Sequence, residues 1–195
     1  MNWTAVLPLR QGPEPKTRLS ARLSAAERIA LSRHMASAVL DALARCGAVE
    51  NILLLSPEPP PAGMAGTWWR DEGRGLNAEL DALRTAFIHR GLLVIHGDLP
   101  LVRVQDVDAL IAGAEQAGCA IAPDRHGVGT NAIALAAGQP FHFAFGEGSL
   151  SRHRIPLPSA MLVERPGLAI DMDTPEDMET VTKTGIGFPF LTEKQ

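Results

Sequence analysis

The hydrophobic pattern is clearest at Leu92-Leu93-Val94-Ile95, an unbroken apolar run that gives way to His96-Gly97-Asp98. A short run of this kind predicts a central strand covered on both faces of a parallel sheet. Similar runs predict strands over Trp3–Leu9, Asn51–Ser56, Cys119–Pro123 and Phe141–Phe145, and a further apolar run at Ala132–Ala136. Between them the period changes to that of a helix. Ile29, Ala36, Val39, Leu40 and Leu43 recur behind a capping-box pair, Ser24 and Glu27, until Gly47. Leu76, Leu80, Leu83 and Phe87 mark a second helix, and Val107, Leu110, Ile111 and Ala114 a third that ends near Gly118. Gly146-Glu147-Gly148-Ser149 opens a short helix through His153, and Thr174 with Asp177 repeats the capping box, with Pro175 at the first helical position. Pro57, Pro59, Pro60, Pro61 and Gly63 make a loop, and Trp68-Trp69 reads as loop packing. Alternating strands and helices predict an α/β fold, with a mostly parallel sheet and helices on both faces.

Length and charge narrow this picture. A chain of 195 residues fits one domain, 1–195, with one sizeable core. Hydrophobic residues at 46% and charged residues at 21% are ordinary for a globular protein, and the net charge of -4 gives no general attraction to nucleic acid or anionic membrane. Any phosphate must be met by local positive groups. Cys46 and Cys119 lack metal or redox spacing and read as buried thiols. The N-terminus lacks a basic region followed by a long apolar core, and no run reaches transmembrane length, so a cytoplasmic protein is expected.

Ligands of open α/β sheets collect beyond the carboxyl ends of the strands. Asp98 sits at such an end, and Asp171-Met172-Asp173 follows another short apolar segment, Leu168-Ala169-Ile170. Residues two apart on an extended segment point the same way, so Asp171 and Asp173 can face one metal with Asp98. Magnesium is commonly held by one or two carboxylates with substrate phosphates completing its shell. The first strand empties into Arg10-Gln11-Gly12-Pro13-Glu14-Pro15-Lys16-Thr17-Arg18, whose basic residues suit a triphosphate. Lys16 stands out because the chain has only two other lysines, Lys183 and Lys194. No Walker-type loop is present. Asp71-Glu72-Gly73-Arg74-Gly75-Leu76-Asn77 is a polar, glycine-rich start to a helix, where backbone N–H groups can approach a ligand. Gly127–Thr130 and Gly146–Ser149 have the same character and are candidate anion loops. His153 either touches a phosphate or is a structural histidine, the latter being the commoner case.

Taken together, Lys16-Thr17-Arg18-Leu19-Ser20, Asp71–Asn77, Gly97-Asp98-Leu99-Pro100-Leu101, Ala122-Pro123-Asp124-Arg125 through Gly129-Thr130-Asn131-Ala132, Gly146–His153 and Asp171–Asp177 resemble the 2-phospho-L-lactate guanylyltransferase family over nearly the whole chain. The resemblance implies a three-layer, Rossmann-like nucleotidyltransferase fold of the nucleotide-diphospho-sugar transferase type. It implies attack by 2-phospho-L-lactate, phosphoenolpyruvate or 3-phosphoglycerate on the α-phosphorus of GTP, with pyrophosphate released, in deazaflavin coenzyme (F-420-type) synthesis. It further implies Mg2+ on Asp98, Asp171 and Asp173; Lys16, Arg18 and Asp98 in catalysis; Lys16, Arg18, Asp71, Gly75 and Asn77 at the nucleotide; and Thr130, Gly146 and Ser149 at the acid's phosphate. No nucleic acid or membrane partner is implied, and a homodimer is compatible with it. Arg10 stands where lysine is frequent, which keeps the charge, and Leu150 where an aromatic residue is frequent, which leaves the acid open. Two rivals are a related sugar-phosphate or molybdopterin nucleotidyltransferase and a non-catalytic module that binds GTP or a phosphoacid.

Overall fold

The computed structural model describes residues 2–9 and 15–188; Arg10 therefore lies outside the described residues. Seven strands form one sheet: β1 (Trp3–Pro8), β2 (Val49–Ser56), β3 (Thr67–Arg70), β4 (Gly91–Ile95), β5 (Cys119–Pro123), β6 (Thr130–Leu135) and β7 (Met161–Leu162). Their order is β3-β2-β1-β4-β6-β5-β7. β1 is central and parallel to both neighbours, with Val6 opposite Leu53 on one side and Val94 on the other. β6 alone runs antiparallel, against β4 and β5, so the sheet is mostly parallel as its apolar runs predict.

Alternate strand residues supply two cores. Ala5, Leu7, Leu93, Ile95, Ala120 and Ala134 pack under α1 (Ala25–Arg45) and α3 (Val104–Ala117), through Val39, Leu43, Leu110 and Ala114 among others. Val6, Leu53, Leu92, Val94 and Ile133 face the other way, toward α2 (Leu76–Ala86) and Phe141, Phe143 and Phe145. A third cluster bears directly on function. Leu19 and Leu23 join Leu31 and Met35 of α1, Met172, and Val181 of α6 (Pro175–Thr182). It seats the loop carrying Lys16 against the segment carrying Asp171 and Asp173.

Both capping boxes are formed. Ser24 Oγ accepts from Glu27 N, and Thr174 Oγ1 from Asp177 N, while each acid returns a bond to the cap backbone. Helix α1 stops at Arg45 with Cys46 as its extended cap, just short of Gly47.

Three expectations are corrected. Trp68-Trp69 lies in β3, not in a packing loop, and Trp68 Nε1 donates to Ser56 O at 3.0 Å. A four-residue edge strand without alternation leaves no period to read. Phe141–Phe145 is not a strand, because side chains take three successive N–H groups: Phe143 N donates to Asp81 Oδ1, Ala144 N to His153 Nε2 and Phe145 N to Asn77 Oδ1. Those three donors are lost to any ladder. Leu168-Ala169-Ile170 is not a strand end either. Pro166 opens a single helical turn, α5 (Pro166–Ala169), and the chain extends only from Ile170.

Candidate functional site

The phosphate-loop candidate is shaped before it meets any ligand. Lys16 adopts the left-handed region, with φ 54° and ψ 46°, and is the only described non-glycine residue at positive φ. Such backbone is sparsely populated and persists where surrounding contacts impose it. The contacts are visible on both sides. Buried Arg28 donates to Pro15 O at 3.1 Å and to Leu23 O at 3.0 Å, and Leu19 N donates to Lys16 O as a short 3-10 turn, Thr17–Leu19, begins. Lys16 Nζ then reaches Asp98 Oδ2 at 2.7 Å and also contacts Asp173 Oδ1. Arg18, in the 3-10 turn, is exposed.

The acidic segments meet through the backbone as well. Met172 N donates to Asp98 O at 3.0 Å, and Met172 is fully buried in the third cluster while Asp171 and Asp173 remain partly exposed on either side of it. Asp173 N and Thr174 N donate to Asp177 Oδ2, and Arg125 Nη2 holds Asp177 Oδ1 at 2.8 Å. Arg125 N also donates to Ala169 O, so the turn after β5 fixes the approach to the acids. Asn131 Nδ2 bonds Leu168 O at 2.9 Å and Asp171 Oδ1 at 3.4 Å.

The charges interact strongly. Burial lowers the Lys16 pKa but the Asp98 and Asp173 carboxylates outweigh it, so the ammonium is held above its ordinary range. Burial pushes the Asp98 carboxyl up, and the Lys16 ammonium, with His96 beside it, brings the net direction down. Asp171 goes the other way: burial, then the Asp98 and Asp173 carboxylates, push its pKa up. One lysine is thus shared by two carboxylates, while the third, Asp171, carries the burden of both their charges. Asp98 Oδ1 is buried with no hydrogen-bond partner among the described residues. These hard oxygen donors and the orphaned Oδ1 fit a dication that completes its shell with substrate phosphates. Among the described residues, however, no three His, Cys, Asp or Glu side chains form a ready-made metal cage.

The acid-pocket candidates come together at the start of β6, one residue before Asn131 and so at the same end of the sheet as the acids. His153 lies on α4 (Ser149–Arg154), four residues after Ser149 and so on the same helix face. Its Nδ1 is 3.1 Å from Thr130 Oγ1, and all three residues are buried. Thr130 and Ser149 are therefore neighbours of one histidine. Gly146 has φ +119°, a conformation that side chains disfavour, and the Arg152 guanidinium lies 3.2 Å from where its Cβ would stand. The N–H groups of Gly146, Glu147 and Gly148 have no acceptor among the described residues.

Gly127–Thr130, in contrast, is not an open anion loop. Asp124 Oδ1 already accepts from His126 N and Val128 N, and Asp124 Oδ2 lies 2.7 Å from a Cβ built on Gly129. The chain's own carboxylate fills that concavity, leaving only Thr130 for the pocket.

In Asp71–Asn77, backbone order comes from buried Glu79, whose carboxylate accepts from the Arg74 guanidinium and from the Glu72 and Arg74 N–H groups. The Arg74 hydrogen bonds outweigh burial and hold the Glu79 carboxyl below its usual range. Asp71 Oδ1 accepts from Gly73 N, and Gly75, at φ 90°, caps α2 and is exposed. Asn77 turns inward to Phe145, so its amide tethers the acid-pocket segment. Glu79, Asn131 and the Asn77 tether are not apparent from pattern alone; Asn131 has a signal, being a polar residue inside an otherwise apolar run.

Comparisons with known proteins bear on the family and the fold. Phosphoenolpyruvate guanylyltransferase of Sphaerobacter thermophilus is 38% identical over 190 residues, covering 92% of each chain. A 3-phospho-D-glycerate guanylyltransferase of Phenylobacterium zucineum is 36% identical, covering 94% of this chain and 91% of its own. A solved nucleotide-diphospho-sugar transferase structure from Desulfovibrio desulfuricans matches with a TM-score of 0.74 at 19% identity, over 97% of this chain and 90% of that one. 4-Diphosphocytidyl-2C-methyl-D-erythritol synthase matches at 0.61 with 16% identity, over 95% and 99%. The fold is that of these nucleotidyltransferases. With the family model described as "Guanylyl transferase CofC like" matching residues 3–187, the chain belongs to that family.

Proposed function

We propose that this protein is a magnesium-dependent guanylyltransferase. It joins the phosphate of a small phosphorylated acid (phosphoenolpyruvate, 3-phosphoglycerate or 2-phospho-L-lactate) to the α-phosphorus of GTP. The observation that carries this reading is the cluster in which Lys16 is shared by Asp98 and Asp173, beside Asp171, at the end of β4. The names of the 38% and 36% identical relatives support the nucleotide and the class of acid. On the same reading the protein works in the cytoplasm at an early step of deazaflavin coenzyme synthesis.

Two anionic substrates must be brought together, so positioning and charge neutralisation carry the reaction. An oxygen of the acid's phosphate attacks the α-phosphorus, the bond to the β-phosphate oxygen breaks, and pyrophosphate leaves with that electron pair. No side-chain nucleophile is required, and the attacking phosphate needs little help from a base because it is largely ionised near neutral pH. Asp98, Asp171 and Asp173 would hold Mg2+. Bound there, the ion would supply Lewis-acid neutralisation of phosphate charge and a template for the two substrates. Lys16 and Arg18 face the triphosphate, and the fixed, positive-φ backbone at Lys16 keeps its ammonium in place without reorganisation. Asp71 and Gly75 line the nucleoside side, where Asn77 acts by placing the neighbouring segment. Thr130, Ser149 and the N–H groups from Gly146 receive the acid's phosphate.

The test is incubation of the protein with GTP, Mg2+ and each acid in turn. Pyrophosphate release with at least one acid, abolished by Asp171→Ala, is the expected result. Turnover of CTP in preference to GTP, or ligand binding with no turnover in any mixture, would replace this reading.

A further inference from the structure

His153 is enclosed on all sides, yet it is no ordinary core residue, because both ring nitrogens are committed. Ala144 N donates to Nε2 at 2.8 Å, which requires a lone pair on that nitrogen. The ring proton of the neutral imidazole then belongs on Nδ1, 3.1 Å from Thr130 Oγ1, and the histidine is the donor in that bond. Phe141 and Phe145 pack against the ring, with centroids at 5.6 and 4.9 Å, and fix its plane. A hydroxyl that accepts from histidine keeps its own hydrogen for another acceptor, and among the described residues Thr130 Oγ1 has no further partner. Burial favours the neutral ring, which agrees with this assignment.

We infer that His153 is a positioning residue for the phosphoacid subsite: its Nδ1–H occupies the acceptor side of Thr130 and so commits the Thr130 O–H to donate to an anionic oxygen. This rests on the functional reading above. The ligand class that satisfies such a site is a fully ionised phosphate, which presents only acceptors. A group that must donate at this point, such as a hydroxyl or a protonated phosphate, meets a donor and is disfavoured. The selectivity comes from a backbone bond on the far side of the imidazole, Ala144 N to Nε2, in the segment leading to Gly146.

The experiment uses the full chain and two readouts. Nitrogen-15 spectra of the His153 ring at pH 7 report the tautomer directly, and the expected state is neutral with the proton on Nδ1. A ring protonated on Nε2, or on both nitrogens, overturns the inference whatever the enzyme does. KM values for phosphoenolpyruvate and GTP, or calorimetric affinities for each, are then compared among variants. His153→Gln can still accept from Ala144 but loses the donor at the Nδ1 position. It is expected to raise KM for the acid about tenfold, as for loss of one hydrogen bond made to a charged group, with KM for GTP unchanged. His153→Asn, whose amide nitrogen stands near the Nδ1 position, is expected to restore most of that loss. In a Thr130→Val background His153→Gln should add no further loss, since the effect runs through the hydroxyl. Equal losses in both backgrounds, or equal losses for acid and GTP, overturn the positioning role and leave the guanylyltransferase reading intact. A wild-type protein that neither turns over nor binds any of the acids overturns both.

Discussion

Asn77 and Phe145 exchange two hydrogen bonds across 68 positions: Phe145 N donates to Asn77 Oδ1 at 2.8 Å, and Asn77 Nδ2 donates to Phe145 O at 3.2 Å. A primary amide pairs with a peptide group here as one strand residue would with another. One turn further along α2, Asp81 takes Phe143 N at 2.8 Å, so the helix that begins at the proposed nucleoside loop clamps the segment that ends at Gly146. The two substrate sides are mechanically joined. Asn77→Ala leaves both Phe145 groups without their partner and is expected to cost about 1–3 kcal/mol of stability. It should also raise KM for the acid, because Gly146 follows Phe145 directly. Urea unfolding and initial-rate kinetics check this; an acid KM unmoved despite the lost stability would mean that the clamp does not position the pocket.

Lys16 is where electrostatics and backbone strain coincide. Replacing it by methionine keeps much of the side-chain volume but leaves Asp98 and Asp173 without their shared ammonium, beside an Asp171 already burdened by both. The expected result is a loss in kcat on the order of a hundredfold or more, the range seen when a preorganised charge is removed from a site of developing negative charge. Lys16→Gly separates the two contributions: it accepts the left-handed backbone but lacks the charge, so it should be as inactive as the methionine variant while refolding at least as well. Steady-state rates set beside thermal unfolding of both variants decide the point.

Much of this was legible in the sequence, and two of the exceptions have a common cause. The apolar runs at Leu92–Ile95 and Cys119–Pro123, the two capping boxes and the helical periods all report local burial, which hydrophobic pattern records well. The three acids were legible because a charge at the end of an apolar run is out of place unless it has a task. Phe141–Phe145 misled because alternating aromatic residues look like a strand, whereas the side chains of Asn77, Asp81 and His153 take its N–H groups. Gly127–Gly129 misled similarly, since Asp124 folds back into a loop whose composition alone suggests an open nest. In each case a long or local side-chain-to-backbone bond decided the structure, and such bonds leave no periodicity.

Gly146 gives a prediction based on shape. At φ +119° it stands where an L side chain is strained, and an added Cβ would meet Arg152 Nη2 at 3.2 Å. Arg152 is exposed and can give way, so the backbone term dominates. Gly146→Ala is expected to cost about 1–3 kcal/mol locally. Most of that should appear as weaker acid binding, because the loop ahead of α4 can relax without disturbing either sheet core. A calorimetric affinity for phosphoenolpyruvate reduced about tenfold or more, with GTP affinity unchanged, is the expected outcome. Equal weakening of both ligands would show that the strain spreads through Phe145 and Asn77.

His153 also makes stability depend on pH in a definite direction. Burial first, then the charges of Arg152 and His96, push its pKa down from 6.5 to about 4. Ala144 N and Thr130 Oγ1 complete its polar surroundings, and the neighbouring rings of Phe141 and Phe145 are uncharged. The folded state therefore keeps the ring neutral between these two values while the unfolded chain takes up a proton. Because the unfolded state binds more protons in that window, stability is complete above about pH 6.5 and falls as the pH drops toward 4, by on the order of 3 kcal/mol from this residue. Urea midpoints of the wild type and of His153→Asn at pH 7.5 and pH 5 isolate the term, since asparagine does not titrate. The wild type should lose more stability than the variant between the two pH values. Equal losses would mean that carboxylates alone set the acid limit and that His153 is not held neutral by the fold.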